Sequence, residues 1–442
     1  MPRHLADLPG PRPWPLLGNL PQLSPTRMHL QVEAWARQYG PLFAMRFAGT
    51  PVLVVADPIL VGAVLRDRPD GFRRPSATAQ VAMEMDGRPG LIMAEGAAWR
   101  AQRRMVMAAL APHAVKAYFP ALVSTSLRLQ ERWRQAALAD KSIELPVDLK
   151  CYSIDIIAGL AFGIEVNTLE HGEHALQRHM EIILAGVARR SMAPFPYWRY
   201  LKLARERELD ASVAALRTAV DELVAGARTR LDAEPARRQH PANLLEAMLC
   251  AAHEEGSGIE DNIVAGNVAT MLLAGEETTS SALAWLLYLL QGNPAALRQA
   301  REEVLRVAPE PARYTIEQMD ALAYLDACAQ EALRLKPATP FIPLEALRDS
   351  MVGDVAVPKG GLVWCVMRHG SDMPPGSDFD PGRGLRQDGE AIGKPASTPF
   401  GAGPRTCPGR YLALLEIKVA CAMLLATFEI AAIDTADGRE PE

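Results

Sequence analysis

Cys407 stands in a glycine-rich stretch, Phe400-Gly-Ala-Gly-Pro-Arg-Thr-Cys-Pro-Gly-Arg410, directly before a helical run. Glycines at 401, 403 and 409 let the backbone turn tightly and approach a flat ligand with no Cβ in the way. Amide N–H groups at a helix start, together with the helix dipole, are expected to lower the thiol's pKa and favour the thiolate. A thiolate in apolar surroundings is a soft, strongly donating ligand for iron. A dinucleotide-binding reading of Gly401-x-Gly403 fails, because Thr406 occupies the place of the third glycine. A core cysteine in a glycine-rich turn is the plainer alternative, and the other motifs weigh against it.

Ala274-Gly-Glu-Glu-Thr-Thr279 lies midway along an apolar helical run from about Asp261 to Gln291. Gly275 weakens that helix locally, and Thr278 can turn its hydroxyl back to the carbonyl of Ala274, opening a groove in the ladder. Polar residues among Met271, Leu272, Leu273 and Leu283 are costly if buried without partners. Trp99 and Arg103, four apart, share one helical face, as do Glu331 and Arg334, three apart. Arg100 and Arg104 form an adjacent basic stripe, either a solvated face or an attractor for an acidic partner. His171, His174 and His179 match no zinc spacing and read as a surface helix end.

The elements that must position these residues are mostly helical. A proline-rich arm over residues 1–28 leads to a helix near Leu30–Tyr39 and strands at Leu42–Phe47 and Val52–Val55. From about Asp57 to Leu335 apolar residues recur at helical spacing. Two interruptions, Arg73–Gly96 and Met192–Tyr200, read as irregular loops. Short strands and turns follow Lys336, and a last helix covers roughly Arg410–Leu425. No repeat or change of composition divides the chain, so residues 1–442 are read as one mainly α (α+β) domain.

Apolar residues are 49% and charged residues 22%, which suits a globular protein. A net charge of −5 gives no reason to expect nucleic acid. Six scattered cysteines without a CxxC pair favour a reducing compartment, hence a cytoplasmic location. The most apolar stretch carries Glu276 and Glu277, so neither a membrane span nor an anchor is expected.

Phe400, Gly403, Arg405, Cys407 and Gly409 satisfy Phe-x-x-Gly-x-Arg-x-Cys-x-Gly, and in this the chain resembles the cytochrome P-450 family. The resemblance runs from Leu8 to about Leu425. It implies a large helical lobe, a small β-rich lobe, and haem b buried between the central and final helices. Cys407 would be the axial metal ligand, with Phe400, Gly401, Gly409, Ala274 and Gly275 against the haem. Trp99 and Arg103 would bind one propionate and Arg405 the other. Glu331, Arg334 and Arg383, the last from Phe379-Asp-Pro-Gly-Arg383, would form a structural triad. Thr278 would serve the oxygen that the haem activates, and Glu277 would relay protons from solvent. One position departs from the family pattern. Leu344 stands where a further propionate arginine is expected, and Arg348 is the candidate substitute.

The implied activity is a monooxygenase placing one atom of O2 into an apolar substrate such as a fatty acid or terpenoid. Substrate contacts are expected from Met83, Ile92, Phe195, Met271, Phe341 and Ile342. No flavin or iron–sulfur segment follows the cysteine loop, so NAD(P)H electrons are expected through a separate ferredoxin or flavodoxin-type donor. Two rivals stand beside this: a peroxide-using or rearranging haem-thiolate enzyme, and a non-catalytic haem-binding or scaffold protein. Glu277 and Thr278 speak against the first, and the lack of any residues for a signalling domain speaks against a sensor.

Overall fold

The computed structural model describes residues 2–85, 87–88, 90–172, 175–193, 195–254, 256–368, 379–385 and 397–435. Its centre is the helix Asp261–Gln291, in which residues 264–269 are buried in an unbroken run and so on every side of the helix. Such a helix has no solvent face to spare and must be enclosed by others. The helices Leu145–Phe162, Ala323–Leu335 and Arg410–Thr427 pack against it. Gly275 permits a close approach of the helix Leu145–Phe162, since a Cβ there would lie 3.1 Å from Ile157 Cγ1. No single helix among the described residues is long and apolar enough to cross a membrane.

The smaller lobe is a five-stranded sheet. Its strands are β1 (Leu42–Phe47), β2 (Thr50–Val55), β3 (Phe72–Arg73), β4 (Phe341–Ala346) and β7 (Leu362–Val366). They run in the order β1-β2-β7-β4-β3, with β2 and β7 parallel in register Val52↔Leu362. A separate hairpin joins β5 (Ser350–Val352) to β6 (Val355–Val357). Val52 and Val54 belong to one apolar cluster, Leu53 and Val55 to another. Period-two alternation thus feeds two cores, which explains a continuous apolar run in β2. Trp364 of β7 anchors one face, stacked on Phe341 at 4.9 Å and tilted against Phe47 at 4.8 Å.

The N-terminal arm is pinned rather than loose. The Arg3 side chain pairs with Asp354 at 2.7 Å, and the Asn19 side-chain oxygen Oδ1 accepts the Arg46 amide at 2.7 Å. Two short 3-10 turns, Leu5–Asp7 and Leu20–Gln22, interrupt it.

One segment departs from the sequence reading. Within Arg73–Gly96, residues Ser76–Met85 form a helix. Its first amide and the Ser76 hydroxyl both donate to Glu345 Oε2 of β4 at 2.7 Å. That carboxylate is distant in sequence, so no local capping signal announces the helix.

Trp364→Ala should remove both ring contacts and leave a cavity costing about 3–5 kcal/mol. A urea midpoint that does not fall would show that the rings carry no such load.

Candidate active site

A cavity of about 360 Å³ lies between the central helix and the final helix. Asn267, Met271, Ala274, Gly275 and Thr278 line it from the central helix, and Leu412, Ala413, Glu416 and Ile417 from the final one. Phe400, Gly401, Arg405, Cys407 and Gly409 enter from the cysteine loop, Trp99 and Arg103 from the helix Gly96–Ala109. Residues scattered over three hundred positions thus meet at one wall.

The loop is shaped by its backbone. The Cys407 amide donates to the Phe400 carbonyl at 2.8 Å, closing the turn. Gly403 has φ +71°, and a Cβ there would lie 2.7 Å from the Arg66 Cα of the helix Pro58–Arg66. Only glycine fits that approach. Gly409, by contrast, has an ordinary φ of −84° and room for a Cβ within the protein.

Cys407 opens onto the cavity, yet its thiol pKa is not lowered as the sequence suggests. Burial pushes it up, and the Gly409 amide with Arg103 and Arg410 offsets only part of that. Desolvation in an apolar cavity outweighs the helix start.

On the central helix the Thr278 hydroxyl donates to the Ala274 carbonyl at 2.7 Å, and Thr278 lines the cavity. Glu277 is not part of the cavity wall. It pairs with Lys150 at 2.7 Å, and Lys150 also holds Glu181 at 2.7 Å. The buried carboxylate of this turn is its neighbour Glu276, which accepts a 3.3 Å hydrogen bond from Gln177. Burial raises its pKa to about 7 despite that bond and nearby Lys150. Motif reading singles out Glu277. Helical phase decides which of two adjacent carboxylates is buried, and phase is set by packing.

Arg405 donates to the Ala94 carbonyl at 2.6 Å, pairs with Glu95, and lies over the Trp99 ring at 4.8 Å. Arg103 lines the cavity beside it. Two arginines not singled out in sequence, Arg68 and Arg74, line it as well. Arg348 is elsewhere: it binds Asp67 at 2.7 and 3.0 Å on the surface, so it does not substitute at the cavity for the missing arginine. Leu344 is fully buried in β4.

Arg334 forms a two-point pair with Glu331, 2.7 Å on each side, and Arg383 Nε lies 3.8 Å from the same carboxylate. The Asp380 amide also donates to it at 3.2 Å, tying the segment 379–385 to the helix Ala323–Leu335.

Of the expected substrate contacts, Ile92, Met271, Phe341 and Ile342 line the cavity. Met83 and Phe195 do not. Met83 is 47% exposed on the helix Ser76–Met85, and Phe195 is 61% exposed with its ring edge-on to Tyr197. Among the described residues no group of three His, Cys, Asp or Glu could hold a metal ion; His174 lies outside them.

The family model for cytochrome P-450 matches residues 8–441. The chain belongs to the cytochrome P-450 family. It is 29% identical over 437 residues to a self-sufficient cytochrome P-450 monooxygenase of Oidiodendron maius, covering 96% of this chain but 40% of that relative's length. A cytokinin hydroxylase of Arabidopsis thaliana is 27% identical, covering 96% of this chain and 85% of its own. A flavonoid 3'-monooxygenase of Oryza sativa subsp. japonica is 29% identical, covering 95% and 84%.

Haem, the cofactor this family implies, would take an iron-ligating side chain and cations for its two carboxylates. Cys407 supplies the first. The buried Nε atoms of Arg68 and Arg405 lack hydrogen-bond partners among the described residues, which is what a cavity built for an anionic group shows. The residues fit the group.

Because Glu276 is pushed up in the fold, its stabilising neutral form is fully present at low pH. It is lost as pH rises through about 7. Glu276→Gln should therefore show little of that decline and exceed the wild type above pH 7 by about 2–3 kcal/mol. Parallel pH–stability curves for the two proteins would refute this.

Proposed function

We propose that this protein is a haem-thiolate monooxygenase that inserts one atom of O2 into an apolar small molecule. The observation that carries the reading is a cysteine thiol and a hydroxyl-bearing helical turn facing one cavity. Haem bound there supplies the oxygen-activating chemistry, made stronger by thiolate donation.

Each residue then has a task. Cys407 would hold the haem iron, with Phe400, Gly401 and Gly409 as its loop and Ala274 and Gly275 lining the cavity from the central helix. Arg103 with Trp99, and Arg405, take the propionates; planar guanidiniums suit carboxylates in two-point contact. The Thr278 hydroxyl, oriented by the Ala274 carbonyl, is poised to pass a proton into the cavity. Glu277, held by Lys150 at the solvent side of the same turn, is the exchange point for that proton.

Ile92, Met271, Phe341 and Ile342 make an apolar wall with few polar groups. That chemistry suits a fatty acid or terpenoid, which would displace water. Electrons derived from NAD(P)H would be supplied by a separate ferredoxin or flavodoxin-type donor. Exposed Arg104 and Arg410, near the cysteine loop, favour an acidic docking face. A cytoplasmic location belongs to the same proposal.

The purified protein should bind haem and show the red-shifted Soret band of a thiolate-ligated reduced carbonyl complex; Cys407→Ser should abolish it. A wild-type protein without that band would end the reading. Titrating small apolar compounds against the ferric spin state would then identify the substrate. Thr278→Ala should keep substrate affinity but lose most product per electron consumed, of the order of the tenfold or more typical of a lost proton donor. Unchanged coupling would remove Thr278 from the proton path.

A further inference from the structure

Arg68 follows the helix Pro58–Arg66 and precedes β3, and it is 6% exposed. Its Nε has no hydrogen-bond partner among the described residues, and no carboxylate there pairs with it. Its surroundings deepen the imbalance. Burial first, then Arg74 and Arg405, pull its pKa down to about 9, and only Glu95 among nearby carboxylates opposes them. Glu95 is already committed to Arg405 and to the Arg74 amide. Four guanidiniums, Arg68, Arg74, Arg103 and Arg405, therefore line one cavity with little negative charge to meet them.

A buried guanidinium without an anion costs several kcal/mol. Its long apolar stem does not require that position, since a charged head normally reaches water. The cavity wall that Arg68 shares includes Leu65 and Pro343, the latter adjacent to Leu344 in β4. Leu344 is the strand position without its expected arginine, and Arg348 is held away by Asp67.

We propose that Arg68 is a carboxylate anchor for the bound haem, delivering from the β3 side the charge that position 344 does not carry. The inference rests on the haem-binding reading above and deepens it. Two functions follow from one side chain: it binds a propionate, and its own desolvation is relieved only when the propionate is present. Haem binding and local folding are then coupled through this residue.

The test compares Arg68→Met, which keeps the length without charge, and Arg68→Lys with the wild type. Haem transfer from the ferric protein to excess apomyoglobin gives the retention rate. Thermal unfolding is measured with and without haem. Arg68→Met should lose haem about tenfold faster or more, keep the thiolate Soret signature, and be more stable than wild type without haem but less stable with it. Arg68→Lys should fall between. Haem with both propionates esterified should narrow the gap between wild type and Arg68→Met.

A merely structural residue would shift both stabilities in one direction, and that result would overturn the inference. So would equal haem loss from wild type and Arg68→Met, or a gap unaffected by esterification. If Arg68→Met does not fold, an Arg68→Lys variant losing haem at the wild-type rate from both normal and esterified haem overturns it. A wild-type protein that takes up no haem at all defeats the underlying functional reading instead, and this inference with it.

Discussion

The architecture depends on holding one sulfur at the wall of a cavity whose other wall is a helix with polar side chains in its middle. Both walls are costly. The sulfur is desolvated and its thiol favoured, and the helix buries Glu276 and exposes the Thr278 hydroxyl to the cavity. What keeps the walls in place is packing at a distance from the chemistry. Ile157 closes on Gly275, Arg66 closes on Gly403, and the Glu331–Arg334–Arg383 cluster fastens the segment 379–385.

Charge is distributed by the same logic. Carboxylates on the outside meet cations directly, as Glu277 meets Lys150 and Asp67 meets Arg348. Glu416, which lines the cavity, is instead buried with Ser153 as its hydrogen-bond donor, and burial raises its pKa to about 8. Arginines accumulate at one end of the cavity, against a single shared carboxylate, Glu95. Low dielectric makes each of these groups sensitive to whatever occupies the space. An apolar end and a cationic end in one cavity suit a flat amphipathic group with anionic tails.

Local chemistry made much of this legible. The cysteine loop, Trp99–Arg103, Glu331–Arg334 and the Ala274–Thr279 turn announce themselves because their residues act within one turn or one loop. The central helix is legible from Asp261 to Gln291, since apolar residues run on both sides of its polar turn with no proline between. The helix Ser76–Met85 is not, because its start is satisfied by Glu345 across the sheet. Met83 and Phe195, plausible by composition, point elsewhere, because apolar type does not tell which face of an element turns inward.

The chain alone therefore determined the family, the cysteine loop and the identity of the polar turn, all of which depend on residues close together in sequence. Only the folded structure decided which of Glu276 and Glu277 is buried, that Arg348 serves Asp67, and that Arg68 and Arg74 stand at the cavity. The physical reason is common to all three. Burial and charge pairing are set by which surfaces meet, and that is a property of helices and strands brought together from far apart in the chain.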